Sequence, residues 1–446
     1  MSEDGEIRVE SQEKNLSIIL TMLLVFSVAI AILGFLVDFR DTRQFGGVDL
    51  RNRVVGARLI REGLDPYFYE WTPDRSELLL DPNTGTGSPA TSTTVTPAAL
   101  LLHQPVAFIS YKLQRYGWFV LQWAMLIATT CIMARAASSR DAKIAIWILG
   151  LLIISGSYFW RLHVERGQIY VLYAFMIAVA FWLCEKKTSF GLMAGGFFLG
   201  VFAAFRPPGA LMLIPMLVYG KWKILVGSVV GAVVTFLVTL VTGNIIYWDS
   251  YVRAAQAWSD VFLGIVRFDY APYEHPVIEG MGNLTWRANT PTSDTSFQAL
   301  LQQVGFNVSS GPLLIVMFLI IAAAVIFLFR IRKAGDSIPT MFLAGSTLVL
   351  LSSYLLPARL YTYNNVMWLI PLALIIISSD SLVSLLKSPL AVLFVAGIYF
   401  GTVFWIPYNF IVSDYAMLIY VVAVTCVLLL RRYRQIDKKT SVLASG

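Results

Sequence analysis

The sequence predicts an all-α integral membrane protein of about twelve transmembrane helices, and two observations carry that prediction. Of the 446 residues, 57% are hydrophobic and only 14% are charged, against roughly 25% charged in soluble globular domains. The deficit is concentrated in long uncharged runs, which only lipid tolerates as exposed surface. An ordinary soluble enzyme is thereby excluded. The net charge of +7 fits Lys and Arg crowding the ends of spans, and no aromatic-plus-basic module of a nucleic-acid-binding protein is visible.

The acidic segment 1–15 precedes an apolar run, 16–37. That run is longer than the roughly 7–15 residues of a signal-peptide core and reads as a retained span. Further spans are expected at 117–134, 143–160, 168–184, 189–206, 208–220, 224–243, 312–330, 338–356, 364–379, 389–406 and 414–430, so that 16–430 forms the membrane domain and 431–446 a basic tail. Another run, 95–111, contains Pro97 and His103-Gln104-Pro105; at about 15 residues it is short for a crossing. Cys131, Cys184 and Cys426 lie inside apolar runs, without the spacing of a zinc site or a disulfide framework, and read as packing residues.

The basic clusters Arg431-Arg432-Tyr433-Arg434, Arg330 to Lys333, Lys221-Trp222-Lys223, Glu185-Lys186-Lys187 and Arg135 to Lys143 alternate onto one side of this arrangement. The positive-inside rule makes that side the cytoplasm, with both tails. The loops 38–116 and 244–311 then face outward. One feature opposes this: Arg40, Arg43, Arg51, Arg53, Arg58 and Arg61 would draw the first loop inward. If 95–111 crosses, the N-terminus and first loop exchange sides; if it is re-entrant or interfacial, about twelve spans remain with both ends inside. The residues alone leave both open. The Thr/Ser/Gly/Pro-rich 84–97 reads as a flexible connection.

Polar residues in so apolar a chain mark function by default, and they gather in four outer places. In the first loop, Asp49 shares a helical face with Asn52, Arg53 and Gly56. A carboxylate beside a cation suits a base, but an acid at a helix N-terminus is equally explained by the helix dipole. Asp38 and Asp41 are rival carboxylates, and their spacing is not that of a metal-binding pair. The second place is Trp160 to Gln168, where Arg161, His163, Glu165 and Arg166 either grip an oxyanion or snorkel to the interface. The third is Arg206-Pro207-Pro208, a headgroup anchor or a phosphate ligand. In the fourth, Arg359 to Asn365, Tyr361, Tyr363 and Asn364 form an aromatic belt or a sugar cradle.

His103, Gln104 and His275 complete the polar set, and with three histidines in the chain no metal-ligand pair at helical spacing exists. No metal or other cofactor is expected. Asn283-Leu284-Thr285 and Asn307-Val308-Ser309 match glycosylation acceptors.

The ordered series GGVDLRNRVVGARLIREGLDPY, TPAALLLHQPVAF, ERGQIYVLYAF, FRPPGALMLIPML and RLYTYNNVMWLIP resembles the C-type multi-spanning glycosyltransferases. Among these it is similar to the polyprenyl-phosphate-mannose-dependent mannosyltransferases of family 87, related to enzymes that build bacterial cell-envelope mannolipids. The resemblance covers about residues 16 to 380. It implies the C-type fold, with juxtamembrane and re-entrant helices in the first outer loop, Asp49 as catalytic base and 95–111 as the re-entrant piece. Gly167-Gln168 and Arg206-Pro207 correspond to the family's Gly-Gln and Lys/Arg-Pro.

The activity so implied is inverting transfer of a sugar, mannose foremost, from a polyprenyl-phosphate donor to a lipid or glycan acceptor at the outer, periplasmic face of the plasma membrane. Arg206, Arg161, His163, Arg166 and Arg359 would hold the donor phosphate, and Arg53, His103, Gln104, Gln168, Tyr361, Tyr363 and Asn364 the sugar or acceptor. The chain departs from the family in carrying Asn52 and Arg53 where aromatic residues often follow the Asp. The rival function, a transporter or flippase of lipid-linked saccharides, would place ionisable residues at mid-membrane rather than at the rim, and the two halves show no matched pair of Gly/Pro-broken spans.

Overall fold

The computed structural model describes residues 3–81, 90, 93–262, 294–306, 308–332, 337–356, 360–402 and 409–445. Arg359, His275 and the acceptor asparagines Asn283 and Asn307 lie outside the described residues.

Every predicted apolar run contains a helix, and among the described residues no extended strand forms. Six helices are long and apolar enough to cross a membrane: Asn15–Gln44, Tyr111–Ala136, Trp222–Val241, Ser310–Arg330, Ile338–Leu355 and Asn409–Ile436. A seventh span arises if Arg140–Ile154 and Tyr158–Arg166 are counted as one, bent by 65°. The remaining apolar helices, Tyr170–Glu185, Ser189–Phe205, Pro207–Val218, Thr362–Ser378 and Ala391–Thr402, are shorter. The first three of these begin or end at Tyr170, Phe205 and Pro207, and the fourth carries Tyr363 in its first turn, all on the wall of one cavity.

Burial sorts the bundle into centre and rim. The Ile338–Leu355 span is 83% buried, and those of Asn15–Gln44 and Ser310–Arg330 only 11% and 17%. The peripheral helices expose Leu, Ile, Val and Phe all round, as lipid-facing spans do. One pair packs backbone to backbone: a Cβ at Gly200 would lie 1.9 Å from the Ser228 carbonyl, and one at Gly227 2.1 Å from that of Met193. The spacings Gly196-xxx-Gly200 and Gly227-xxx-Gly231 supply this contact between Ser189–Phe205 and Trp222–Val241.

The predicted span 143–160 is corrected. Its helix passes into a π-turn at Leu149–Ile154 and restarts at Tyr158, where the Ser157 hydroxyl accepts from the Trp160 N–H at 3.1 Å. Tyr158–Arg166 is therefore a helix turned aside, rather than a rim between two spans. Both predicted tails are helical: the first helix begins at Glu3 and the last ends at Ser445. The 95–111 run holds one α-turn, Pro97–Leu100, and one 3-10 turn, Gln104–Val106. The α-turn is tied down by Thr96, whose hydroxyl donates to the Phe205 carbonyl at 3.1 Å.

The arginines of the first loop have an unexpected use. Val48–Arg61 is a buried helix, and three of its guanidinium groups donate to backbone carbonyls of other segments. Arg51 reaches Glu77 and Leu80 at 3.2 and 3.0 Å. Arg58 reaches Leu78, Ala107 and Ile109 at 3.0, 2.9 and 3.1 Å, and Arg53 reaches Gly167. A guanidinium satisfied inside protein is not a charge at the headgroups, so these three carry no weight in a count of loop charges.

Candidate active site

The buried first-loop helix presents Asp49, Asn52 and Arg53 to a cavity of about 270 Å³. Opposite segments complete the wall: Thr94 to Thr96, Gln168 with Tyr170 and Tyr173, Arg206 to Pro208, Tyr251, Ser353, and Tyr363 with Asn364. Two glycines let the first-loop helix approach the end of Tyr158–Arg166. Gly47 has φ +67°, and a Cβ there would meet Arg115 Nε at 2.7 Å; Gly167 has φ +70°, and its Cβ would meet Leu50 Cβ at 2.6 Å. Arg115 clamps the same junction by donating to the carbonyls of Val164 and Glu165 at 3.0 and 2.9 Å.

Asp49 is held by side chains, not as a helix cap. Its Oδ2 accepts from Arg166 Nε and from Gln168 Nε2, the latter at 2.6 Å, and its Oδ1 accepts from Arg166 Nη2 at 3.1 Å. Among the described residues no backbone N–H of its own helix bonds this carboxyl. Arg166 is fixed in turn against the stacked rings of Tyr361 and Tyr363, its guanidinium carbon 5.8 and 5.6 Å from their centroids. Two donors on Oδ2 against one on Oδ1 leave Oδ1 the oxygen with spare acceptor capacity.

Arg206 is placed differently. Its guanidinium lies over the Tyr170 ring at 4.9 Å and donates through Nη2 to the Ser353 hydroxyl at 2.9 Å. Among the described residues no carboxylate pairs with it, and its Nη1 is buried without a hydrogen-bond partner. A cation on a cavity wall without a counter-charge is suited to receive an anion. Arg53, buried behind Asp49, has its pKa lowered by desolvation, which the nearby Asp49 charge opposes.

The expected site thus assembles only in part. Asp49, Arg53, Gln168, Arg206, Tyr363 and Asn364 meet on the cavity wall, while Arg166 and Tyr361 stand behind Asp49 as its holder and its holder's support. Three further residues are placed elsewhere. Arg161 pairs with Asp41 at 2.7 Å. His163 is fully buried: one ring nitrogen lies 3.1 Å from the Gln122 amide and the other accepts from the Val171 N–H at 3.2 Å. Gln104 donates to Asn244 at 2.7 Å, and Asn244 to the Pro97 carbonyl at 3.1 Å, a tie between loops. The rival carboxylates are also engaged. Asp38 accepts the indole N–H groups of Trp123 and Trp160 at 3.1 and 3.0 Å, and Asp41 binds Arg161 and Arg40.

His103 packs 5.5 Å from the Trp118 ring, away from the cavity wall. Burial, then the Arg53 charge, push its pKa down to about 3, below the ordinary 6.5. The folded protein therefore favours the neutral ring. Its contribution to stability is complete above about pH 6.5 and declines as pH falls toward about 3. Between pH 7.5 and 5 the His103→Gln variant is expected to lose about 2 kcal/mol less stability than the parent. Thermal midpoints at the two pH values measure this, and equal losses would contradict it.

Sequence reasoning did not single out Tyr170, Tyr173, Tyr251 or Ser353. The first two had a usable signal, an aromatic pair three residues apart directly after Gly167-Gln168; Tyr251 and Ser353 had none.

Apolar helices long enough to cross a membrane, together with a polar cavity lined by one carboxylate and by Arg53 and Arg206, define a helical membrane protein with a polar internal site. The family model of glycosyltransferase family 87 matches residues 94–357, more than half of the chain, and the chain belongs to that family of glycosyltransferases. The match takes in Gln168, Arg206 and Ser353; Asp49 and Arg53 precede it. No curated protein and no solved structure matches the chain.

Proposed function

We propose that the protein transfers mannose from a polyprenyl-phosphate donor to a lipid or glycan acceptor, with inversion and without a metal, at the outer face of the plasma membrane. The observation that supports this most is the pairing on one cavity wall of a held carboxylate, Asp49, with an uncompensated guanidinium, Arg206.

The acceptor hydroxyl oxygen attacks the anomeric carbon while its proton passes to Asp49 Oδ1. The bond from that carbon to the phosphate oxygen breaks, and its electron pair leaves with the phosphate. Arg206 stabilises the charge that grows there, its guanidinium oriented in advance by Tyr170 and Ser353. Tyr363 and Asn364 offer a ring face and an amide to the sugar. No second carboxylate lines the described wall, so the lone acid serves as base rather than as one of a chelating pair.

The basic clusters at the other ends of the spans support the outer placement, and Arg51, Arg53 and Arg58, held inside the protein, weigh less against it. A reporter fused within 70–81 tests it: export of the reporter is expected, and a cytoplasmic reporter would contradict it. For the donor, membranes carrying the protein are incubated with radiolabelled polyprenyl-phosphate sugars and with nucleotide sugars. Label should enter acceptor from polyprenyl-phosphate mannose; transfer only from nucleotide sugars would overturn the reading.

A further inference from the structure

The cavity carries more positive charge than a donor phosphodiester requires. Asp49 is matched by Arg166, which among the described residues leaves Arg53 and Arg206 both uncompensated on the wall. Arg53 is 2% exposed. Its hydrogen bond to the Gly167 carbonyl uses Nη2, and its Nε is buried with no partner. Leaving a buried charged donor unsatisfied is costly, and of Arg51, Arg53 and Arg115, which share an unpartnered Nε, it is Arg53 that stands on the cavity wall.

The neighbours of Arg53 decide which anion it meets. Asp49, Tyr173 and Tyr170 all lie in its electrostatic reach. The Tyr173 hydroxyl feels both Arg53 and Arg206, and the Tyr170 ring underlies Arg206. The wall therefore carries Asp49 and Arg53 one turn apart on the first-loop helix, with Tyr170, Tyr173 and Arg206 on other segments of the same cavity. Inversion puts the departing phosphate oxygen across the anomeric carbon from the oxygen held at Asp49, within the cavity that Arg53 and Arg206 both line.

We infer that Arg53 and Arg206 form a two-point guanidinium clamp on the donor phosphate. The inference rests on the polyprenyl-phosphate reading above. The donor phosphodiester has one negative charge and the released phosphate monoester up to two, so two free cations match the product side of the reaction better than the ground state. Binding that strengthens as the bond breaks is binding that accelerates the step.

The test compares two ligands on the purified full-length protein in nanodiscs: farnesyl phosphate, a monoester, and farnesyl methyl phosphate, a diester held at one charge. From pH 5.5 to 8 the monoester gains its second charge near about pH 6. Its Kd is expected to fall by up to about fourfold over that range, the ratio of dianion present at its two ends, while that of the diester stays level. Arg53→Gln should remove most of this dependence and lower kcat by about 10²-fold with little change in donor KM; Arg53→Lys, which keeps the charge, should recover part of both. Equal pH profiles for the two ligands in the parent protein would overturn the inference even if neither variant folds. So would an Arg53→Gln defect confined to the KM of the acceptor, which would make Arg53 an acceptor contact. Because the readout is binding, monoester preference without any sugar transfer would refute the functional reading and leave the clamp standing. Transfer without the preference would do the reverse.

Discussion

Replacing Asp49 with Asn is expected to lower sugar transfer by about 10³-fold or more, at the upper end of what a general base supplies. Asn preserves the size of the side chain but cannot take the acceptor proton. It also sets an amide N–H₂ against the donors of Arg166 and Gln168, which now grip two carboxylate oxygens. Loss of activity from misfolding is a rival cause, since removing one partner of a buried ion pair costs about 3–5 kcal/mol. The second substitution Arg166→Gln separates the two. In the double variant the uncompensated charge is gone, so the thermal midpoint should return toward the parent value while activity stays absent. Activity that returned with stability would mean that Asp49 is a structural partner only.

The next largest effect is expected at Arg206. Arg206→Gln should lower transfer by about 10²- to 10³-fold, the range seen when one preorganised donor to a developing anion is removed. Little stability should be lost, because among the described residues no carboxylate depends on this cation. Arg206→Lys is a sharper probe. Lys retains the charge but not the planar fork that lies on Tyr170 while donating to Ser353, so roughly a tenth of the activity should survive. A Lys variant as active as the parent would show that a point charge suffices, and a Gln variant as active as the parent would remove Arg206 from the phosphate altogether. Rates at saturating donor, with expression and midpoint as controls, decide among these outcomes.

The helical membrane class was legible in the sequence because it depends on composition and run length, which need no knowledge of contacts. Asp49, Gln168 and Arg206 were singled out by the resemblance, on short motifs carrying Gly or Pro, and the structure puts all three on one cavity wall. The partners of these residues were not legible. Arg166 read as a phosphate ligand because nothing in a linear chain shows that it lies against Asp49, 117 residues away. His163, His103 and Gln104 were polar residues in apolar runs, and in one dimension a buried polar side chain satisfied by its neighbours looks the same as one awaiting substrate. The first-loop arginines misled for a related reason. The charge rule counts guanidinium groups in water, whereas Arg51 and Arg58 are spent on carbonyls up to 51 residues away. The shorter runs were legible as helices within a few residues, Tyr170–Glu185 for 168–184 and Ser189–Phe205 for 189–206, but their hydropathy does not show that their ends meet at one cavity.

A single carboxylate, Asp49, acting as base in a one-step displacement fixes the anomeric configuration of the product, and that configuration is the most direct test of the proposed chemistry. Purified protein in nanodiscs is supplied with a polyprenyl-phosphate sugar of known configuration and an acceptor lipid, and the new glycosidic linkage is assigned by NMR. Displacement with one base predicts a linkage inverted relative to the donor. A retained configuration would require a covalent intermediate or a second carboxylate, and would contradict Asp49 as the base.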